Sequence, residues 1–268
     1  DRVAVENLTI RRYTFNGVLF TKAYDDDVDD PTQHTVLQGY AASYLTVSNN
    51  GQYGVYAFYD FDGEPIYVGQ TNEQLRTRVR RHLTNQRTDA VAMRVLDIFE
   101  VASLQMWPLW DLEDVSAAQA KARLDQVEYS AYVHAIKNSK FRAILNEKIP
   151  PVMPVTPLPE DHHFELVRHD PFDERWHPDV RIARRAETIA RLAAVARERG
   201  EVSDGLRRVL VIQAVRLTYL SAARYAQSQG DPEPDASAID VEALVGSQLA
   251  EEPDAADEND IEHMELEN

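Results

Sequence analysis

The stretch GVYAFYDFDGEPIYVGQ, residues 54–70, leaves the chain little conformational choice. Two β-favouring runs, roughly 54–60 and 65–70, flank Asp62 and Gly63, the residue types that an antiparallel hairpin uses at a tight turn. A turn centred there pairs residues whose numbers sum to 125, so Tyr56 faces Gly69 and Phe58 faces Tyr67. Tyr56 and Tyr67 then share a face, and Tyr59, of opposite parity, reads as structural. A slip of one residue would send the two phenols to opposite sides. Tyrosine is a good strand former, but a buried hydroxyl must find a partner, a demand that valine or isoleucine would not make. At least one hydroxyl of this hairpin is therefore a candidate for chemistry. Gly69, opposite Tyr56, leaves room beside that hydroxyl for a ligand or a backbone.

The helices that follow carry polar residues where apolar ones belong. Thr71 or Asn72 caps a helix running to about 86, with Leu75, Val79 and Leu83 on its inward stripe. Arg78 and His82 interrupt that stripe, whereas Arg76, Arg80 and Arg81 point elsewhere. A strand is expected within 98–107, then a longer helix from near Ser116 to about 137. Glu128 projects there from an apolar row of Leu124, Ala131, Tyr132 and Ala135. A buried carboxylate must pair, bind a cation or stay protonated. Glu128 paired with Arg78 is one outcome; the other is that both line a cleft and share an anionic, metal-bound ligand.

Charge is unevenly spread. The net charge is −17, but 14 of the 45 acids lie in 231–268, which holds no Lys or Arg. The remaining 31 acids against 28 bases leave residues 1–230 near −3. Two arginine-rich islands stand out: 72–94, with six arginines, and 181–226, with ten against four acids. Arginine's planar fork suits phosphate oxygens. No cysteine is present, which excludes disulfides and thiolate zinc sites and fits a cytoplasmic location. No apolar run spans a bilayer, and residue 1 onward lacks a signal-peptide pattern. The acidic run 25–31 and His162, His163, His169 and His177 read as solvated loops, for want of cation-binding spacing.

In order along the chain, GVY at 54–56, YVG at 67–69, Leu75, Arg78 and His82, Glu128, and then Leu145 and Asn146 resemble the GIY-YIG nuclease family over about residues 50–150. The resemblance implies an α/β (α+β) fold, a small antiparallel sheet flanked by helices, and metal-dependent hydrolysis of DNA. It implies catalytic roles for Tyr56, Tyr67, Arg78, His82, Glu128 and Asn146. Glu128 would hold one magnesium or manganese ion, Arg78 would neutralise the phosphate, and Tyr56 would act as base or water-orienting phenol. Tyr67 would position phosphate or water, His82 would assist the nucleophile or phosphate, and Asn146 would orient the site. Gly69, Arg76, Arg80 and Arg81 would meet the substrate. The interval between Glu128 and Asn146 is longer than in compact members, which leaves Glu113 and Glu147 as alternative acids.

The flanks complete the expected organisation: a β-rich extension at 1–50, the nuclease-like domain at 51–150, a proline-rich irregular linker at 151–180, a basic α-helical hairpin at 181–230 and an acidic tail at 231–268, disordered apart from a helical turn around 240–249. In the hairpin, Arg184, Arg185, Arg191, Arg207 and Arg208 are expected on a DNA backbone; solvated arginines or a homodimer interface are alternatives. The tail either aids solubility or occupies the basic surface in place of DNA. An endonuclease acting on double-stranded DNA in restriction or genome defence is the leading expectation. A repair or mobile-element nuclease, or a noncatalytic DNA-binding or interaction protein of the same fold, is the alternative.

Overall fold

The computed structural model of the protein describes residues 53–83, 97–112, 114–167, 174–199 and 202–249. The N-terminal extension, the acidic run 25–31, Glu113, His169 and residues 250–268 lie outside the described residues.

Strands β1 (Gly54–Tyr59) and β2 (Pro65–Thr71) pair antiparallel with Tyr56 opposite Gly69 and Phe58 opposite Tyr67. Beyond Phe58 the register shifts, Tyr59 meets Pro65, and the loop widens to residues 60–64. Asp60 is the cause. Its Oδ1 accepts the backbone N–H groups of Asp62 (2.8 Å) and Glu64 (2.9 Å), while the Gly63 N–H donates to the Asp60 carbonyl at 3.0 Å. Gly63 closes the turn at φ 75°, in the left-handed region that glycine enters without a Cβ clash.

Strand β3 (Ser103–Pro108) pairs with β1, and β4 (His162–Glu165) with β3, giving the order β2-β1-β3-β4. β4 falls in the segment expected to be irregular. HHFE offers one buried apolar residue, Phe164 opposite Leu104, so its strand character comes from pairing rather than from any periodicity of its own.

Helix α1 (Leu75–Leu83) follows β2, and Thr71 Oγ1 accepts the Glu73 N–H at 3.1 Å in the turn before it. Helix α2 (Ala117–Asn138) opens with a capping box between Ser116 and Gln119. It lays Leu124, Val127, Ala131, Tyr132 and Ala135 on Val55, Ala57, Val68 and Trp107, covering one face of the sheet. The opposite face, bearing Tyr56, Phe58, Leu104, Met106 and Phe164, is covered by α1 together with α3 (Pro178–Arg199) and α4 (Asp204–Gln229). Leu192, Val195, Leu206, Val209, Ile212 and Val215 join that cluster, each worth about 2 kcal/mol when fully buried.

The helical pair therefore turns part of its basic row inward. Arg185, expected on DNA, is buried and donates to Asp60 Oδ2 (3.0 Å) and Glu100 Oε2 (3.3 Å). Arg181 pairs with Asp62, and Arg216 donates to the carbonyls of Pro65 and Ala143, both at 3.0 Å. The reason is the acids of the β1–β2 loop and Glu100, which cannot lie beneath a helical pair without cations. Arg208 is likewise engaged, at the Glu147 carbonyl (2.9 Å), and Arg184 lies over the Phe99 ring at 5.0 Å. Arg191 and Arg207 remain exposed, the former paired with Glu187.

Residues 231–249 are built into the fold rather than disordered, and the helical turn expected around 240–249 is present. They carry the short helix α5 (Val241–Val245), and the Tyr132 and Tyr129 hydroxyls donate to the carbonyls of Gln248 and Leu249, both at 2.9 Å. The Gln248 side chain accepts the Ile144 N–H at 3.1 Å, which leaves Gln248 buried. Among the described residues, no helix is long and apolar enough to cross a membrane.

Candidate active site

Strand β1 and helix α1 bring Tyr56, Arg78 and His82 together. Positions 78 and 82 lie one turn apart on α1, and the burial of Leu75, Val79 and Leu83 aims that face at the sheet. The Tyr56 hydroxyl lies 2.8 Å from His82 Nε2 and accepts a bond from Arg78 Nε at 3.3 Å. Arg78 is always a donor; in the neutral tautomer whose Nε2 is unprotonated, His82 accepts the Tyr56 proton, and in the other tautomer it donates to Tyr56. Burial first, then the charges of Arg78 and Arg81, lowers the His82 pKa to about 4, in keeping with a neutral ring. Burial, with Tyr67 next, holds Tyr56 well above the ordinary phenol range against the opposing pull of Arg78.

Tyr67 is on the same face, as its parity requires. Its ring centroid lies 6.1 Å from that of Tyr56 and 5.5 Å from that of His82. Burial and then the Glu128 charge raise its pKa, while Arg78 and a hydrogen bond with Tyr56 work against them. Tyr56 is fully buried at 0% exposure, whereas Tyr67, Arg78 and Glu128 each keep some surface. The room left by Gly69 is not open to a ligand. A Cβ there would lie 2.6 Å from Tyr67 Cε1 and 2.9 Å from each of the two phenol oxygens, so the tyrosines themselves fill the space.

The other half of the site is organised by the edge of β2. Val68 turns its N–H and C=O away from β1, and Asn146 takes both, accepting through Oδ1 at 2.9 Å and donating through Nδ2 at 2.8 Å. Two residues on, Gln70 occupies the equivalent outward position. Its Nε2 donates to Glu128 Oε2 (2.8 Å) and Asp125 Oδ1 (2.6 Å), and its backbone N–H adds a further bond to Glu128. Burial and then the Asp125 charge push the Glu128 pKa up to about 7 against the Gln70 bonds. Arg78 is thus turned to Tyr56 and Glu128 to Gln70, rather than to each other.

Among the described residues, no group of three or more His, Asp or Glu forms a ready metal cage. The donor set nevertheless fits magnesium or manganese. Magnesium keeps several waters and binds through one or two carboxylates together with substrate phosphates. Glu128, desolvated beside Asp125, has the raised proton affinity of a carboxylate short of positive charge, which a divalent cation would supply.

The remaining expected residues lie around this centre. Arg76 donates to Gln74 at 2.9 Å, Arg81 pairs with Glu73, and Arg80 is exposed. Glu147 accepts from Ser203 Oγ at 2.7 Å, an engagement with α4 rather than with the tyrosines. Gln70 and Asp125 were not singled out from the sequence. The available signal was positional: Asp125 lies three residues before Glu128 on α2, and Gln70 follows Gly69 directly.

Residues 52–112 match the family model described as the GIY-YIG catalytic domain. The matched segment contains Tyr56, Tyr67, Arg78 and His82 and stops short of Glu128 and Asn146. Neither a curated protein nor a solved structure matches the chain. With the paired tyrosines in register on an antiparallel sheet and the polar face of α1 set against them, residues 52–112 resemble the GIY-YIG catalytic domain in arrangement as well as in sequence.

Proposed function

We propose that the protein is a divalent-metal-dependent endonuclease that hydrolyses phosphodiester bonds in double-stranded DNA. The observation that supports this best is the convergence of Tyr56, Tyr67, Arg78 and His82 on one hydrogen-bonded centre within the electrostatic reach of Glu128. Glu128, with Asp125 beside it, would hold magnesium or manganese, which when bound would supply Lewis-acid polarisation of the scissile phosphate and charge neutralisation at the leaving oxygen.

The chain's own residues do the rest. Arg78 anchors its Nε on Tyr56, and the other donors of its fork neutralise charge on the phosphoryl oxygens. The burial of Tyr56 changes the role expected for it. Tyr67 faces the attacking water, and Tyr56 stands one layer behind. As the water oxygen bonds to phosphorus, its proton passes to Tyr67, the Tyr67 proton to Tyr56, and the Tyr56 proton to His82 Nε2 in the tautomer that leaves this nitrogen free, while the ester P–O bond breaks and the leaving oxygen departs with the bond's electron pair and takes a proton from solvent. A free phenolate, which burial disfavours at both tyrosines, is thereby avoided, and the proton rests on His82 only transiently, since burial and the charges of Arg78 and Arg81 drive it off again. Asn146 keeps the edge of β2, and so Tyr67 and Gly69, in place. The outer arginines of α1, Arg76, Arg80 and Arg81, together with Arg191 and Arg207 of the helical pair, meet the DNA backbone. Restriction or genome defence is the biological role we attach to the activity.

Supercoiled plasmid incubated with magnesium or manganese tests this. The wild type should nick or linearise it, and Glu128→Ala and Arg78→Ala should each lose a factor of about 10² or more in rate while still binding DNA. A wild type that binds the plasmid but leaves it intact with either metal would identify a noncatalytic DNA-binding protein instead.

A further inference from the structure

We propose that Gln70 is a positioning residue of the metal site: it sets the Glu128 carboxylate and recruits Asp125 beside it without neutralising either. This rests on the nuclease function proposed above. One amide nitrogen spans two carboxylates, at 2.8 Å to Glu128 Oε2 and 2.6 Å to Asp125 Oδ1. Chemistry fixes which way the amide points, because two acceptors demand the NH2 end. The backbone N–H of the same residue adds a third bond, to Glu128.

Two features distinguish this from ordinary capping of a sheet edge. The first is placement. β2 is the outer strand, and its outward positions 68 and 70 are taken in turn by Asn146 and Glu128, so the strand that carries Tyr67 also spaces these side chains along itself. The second is charge. An arginine or lysine at position 70 would hold the same two carboxylates by ion pairing and leave no negative charge for a cation. A neutral amide brings them together and keeps that charge. Asp125 has a cation of its own in Lys121, one turn earlier on α2, whose side chain is largely exposed and so is free to leave when a metal ion enters. Outer-shell donors of this kind typically govern metal affinity by 10–100-fold.

Manganese binding to the DNA-free full chain, followed calorimetrically or by electron paramagnetic resonance, separates the two roles. Gln70→Ala should weaken Mn2+ affinity by about tenfold or more. Gln70→Lys is the sharper variant. It retains donors for the strand edge and should keep the melting temperature near the wild-type value, yet lose Mn2+ binding at least as severely and require more metal for cleavage. A Gln70→Lys protein with wild-type Mn2+ affinity would overturn the positioning role, and if wild type cleaves DNA in the same assay the nuclease function stands without it. A wild type that neither binds Mn2+ nor cleaves DNA would remove both.

Discussion

His82 is a base kept neutral by its surroundings. Burial and the charges of Arg78 and Arg81 take its pKa from 6.5 down to about 4, so between those values the unfolded chain binds a proton that the native chain does not. Its contribution to stability is therefore present above the unfolded value and lost as pH falls through the folded one, a swing of roughly 3 kcal/mol. Glu100 and Glu128, raised from 4.5 to about 7, act in the opposite sense: their contribution is full below the unfolded value and lost as pH rises through the folded one. The two trends overlap and mask each other in the raw stability curve. They separate in a difference against His82→Phe, which keeps the burial and removes the titration. Urea unfolding at pH 7 and pH 4 should show wild type losing roughly 3 kcal/mol relative to His82→Phe on acidification. A difference independent of pH would mean that His82 is not held neutral. At this scale the sequence was informative about faces and silent about depth. Arg78 and His82 were visible as polar breaks in an apolar stripe, and parity put Tyr56 beside Tyr67. That Tyr56 lies beneath Tyr67 depends on which helices cover the sheet, and strand alternation does not encode that.

Among the elements, β2 carries the most of the site for its length. It is an edge strand whose outward groups must be satisfied, and the Asn146 amide does at Val68 what a neighbouring strand would do. Asn146→Ala removes both bonds from a buried edge and should cost about 2–4 kcal/mol, read from the denaturant midpoint. Asn146→Asp should also destabilise, since it loses the donor and sets a carboxylate against the Val68 carbonyl. A cost near zero for both would mean that solvent already serves this edge. The register of β1 and β2 was legible because the Asp62–Gly63 turn and the alternation agree, and the start of α2 was legible in the Ser116 cap. The partner of Asn146 was not, because 78 residues separate it from Val68 and no local pattern spans that interval. β4 was hidden for a related reason: four residues with one buried apolar side chain become a strand only when β3 is beside them.

For the whole molecule, the decisive question is whether the helical pair α3–α4 is an appendage or part of the domain built on the sheet. Its arginines invited the first interpretation, because composition counts charges without showing their direction. The structure supports the second through two independent ties. One is the shared apolar cluster, in which Leu192, Val209 and Ile212 join Tyr56, Phe58 and Leu104. The other is the buried ionic layer above the β1–β2 loop, where Arg216 is 1% exposed and reaches Pro65 on β2 and Ala143 in the segment leading to Asn146. Glu64 and Asp60 also lie within 3.6 Å and 4.0 Å of its nitrogens. Removing Arg216 leaves these acids buried without a main counter-charge, which typically costs about 3–5 kcal/mol. Because the same side chain holds β2 and the approach to Asn146, that loss should be felt on both sides of the interface. Native-state hydrogen exchange of Arg216→Ala against wild type should therefore show the protection of the slowest amides in β1 and in α4 falling together, by the same amount that denaturant unfolding reports. Loss of protection confined to α3 and α4, with the β1 amides unchanged, would show that the sheet folds without the helical pair and would return the pair to the status of an appended arm.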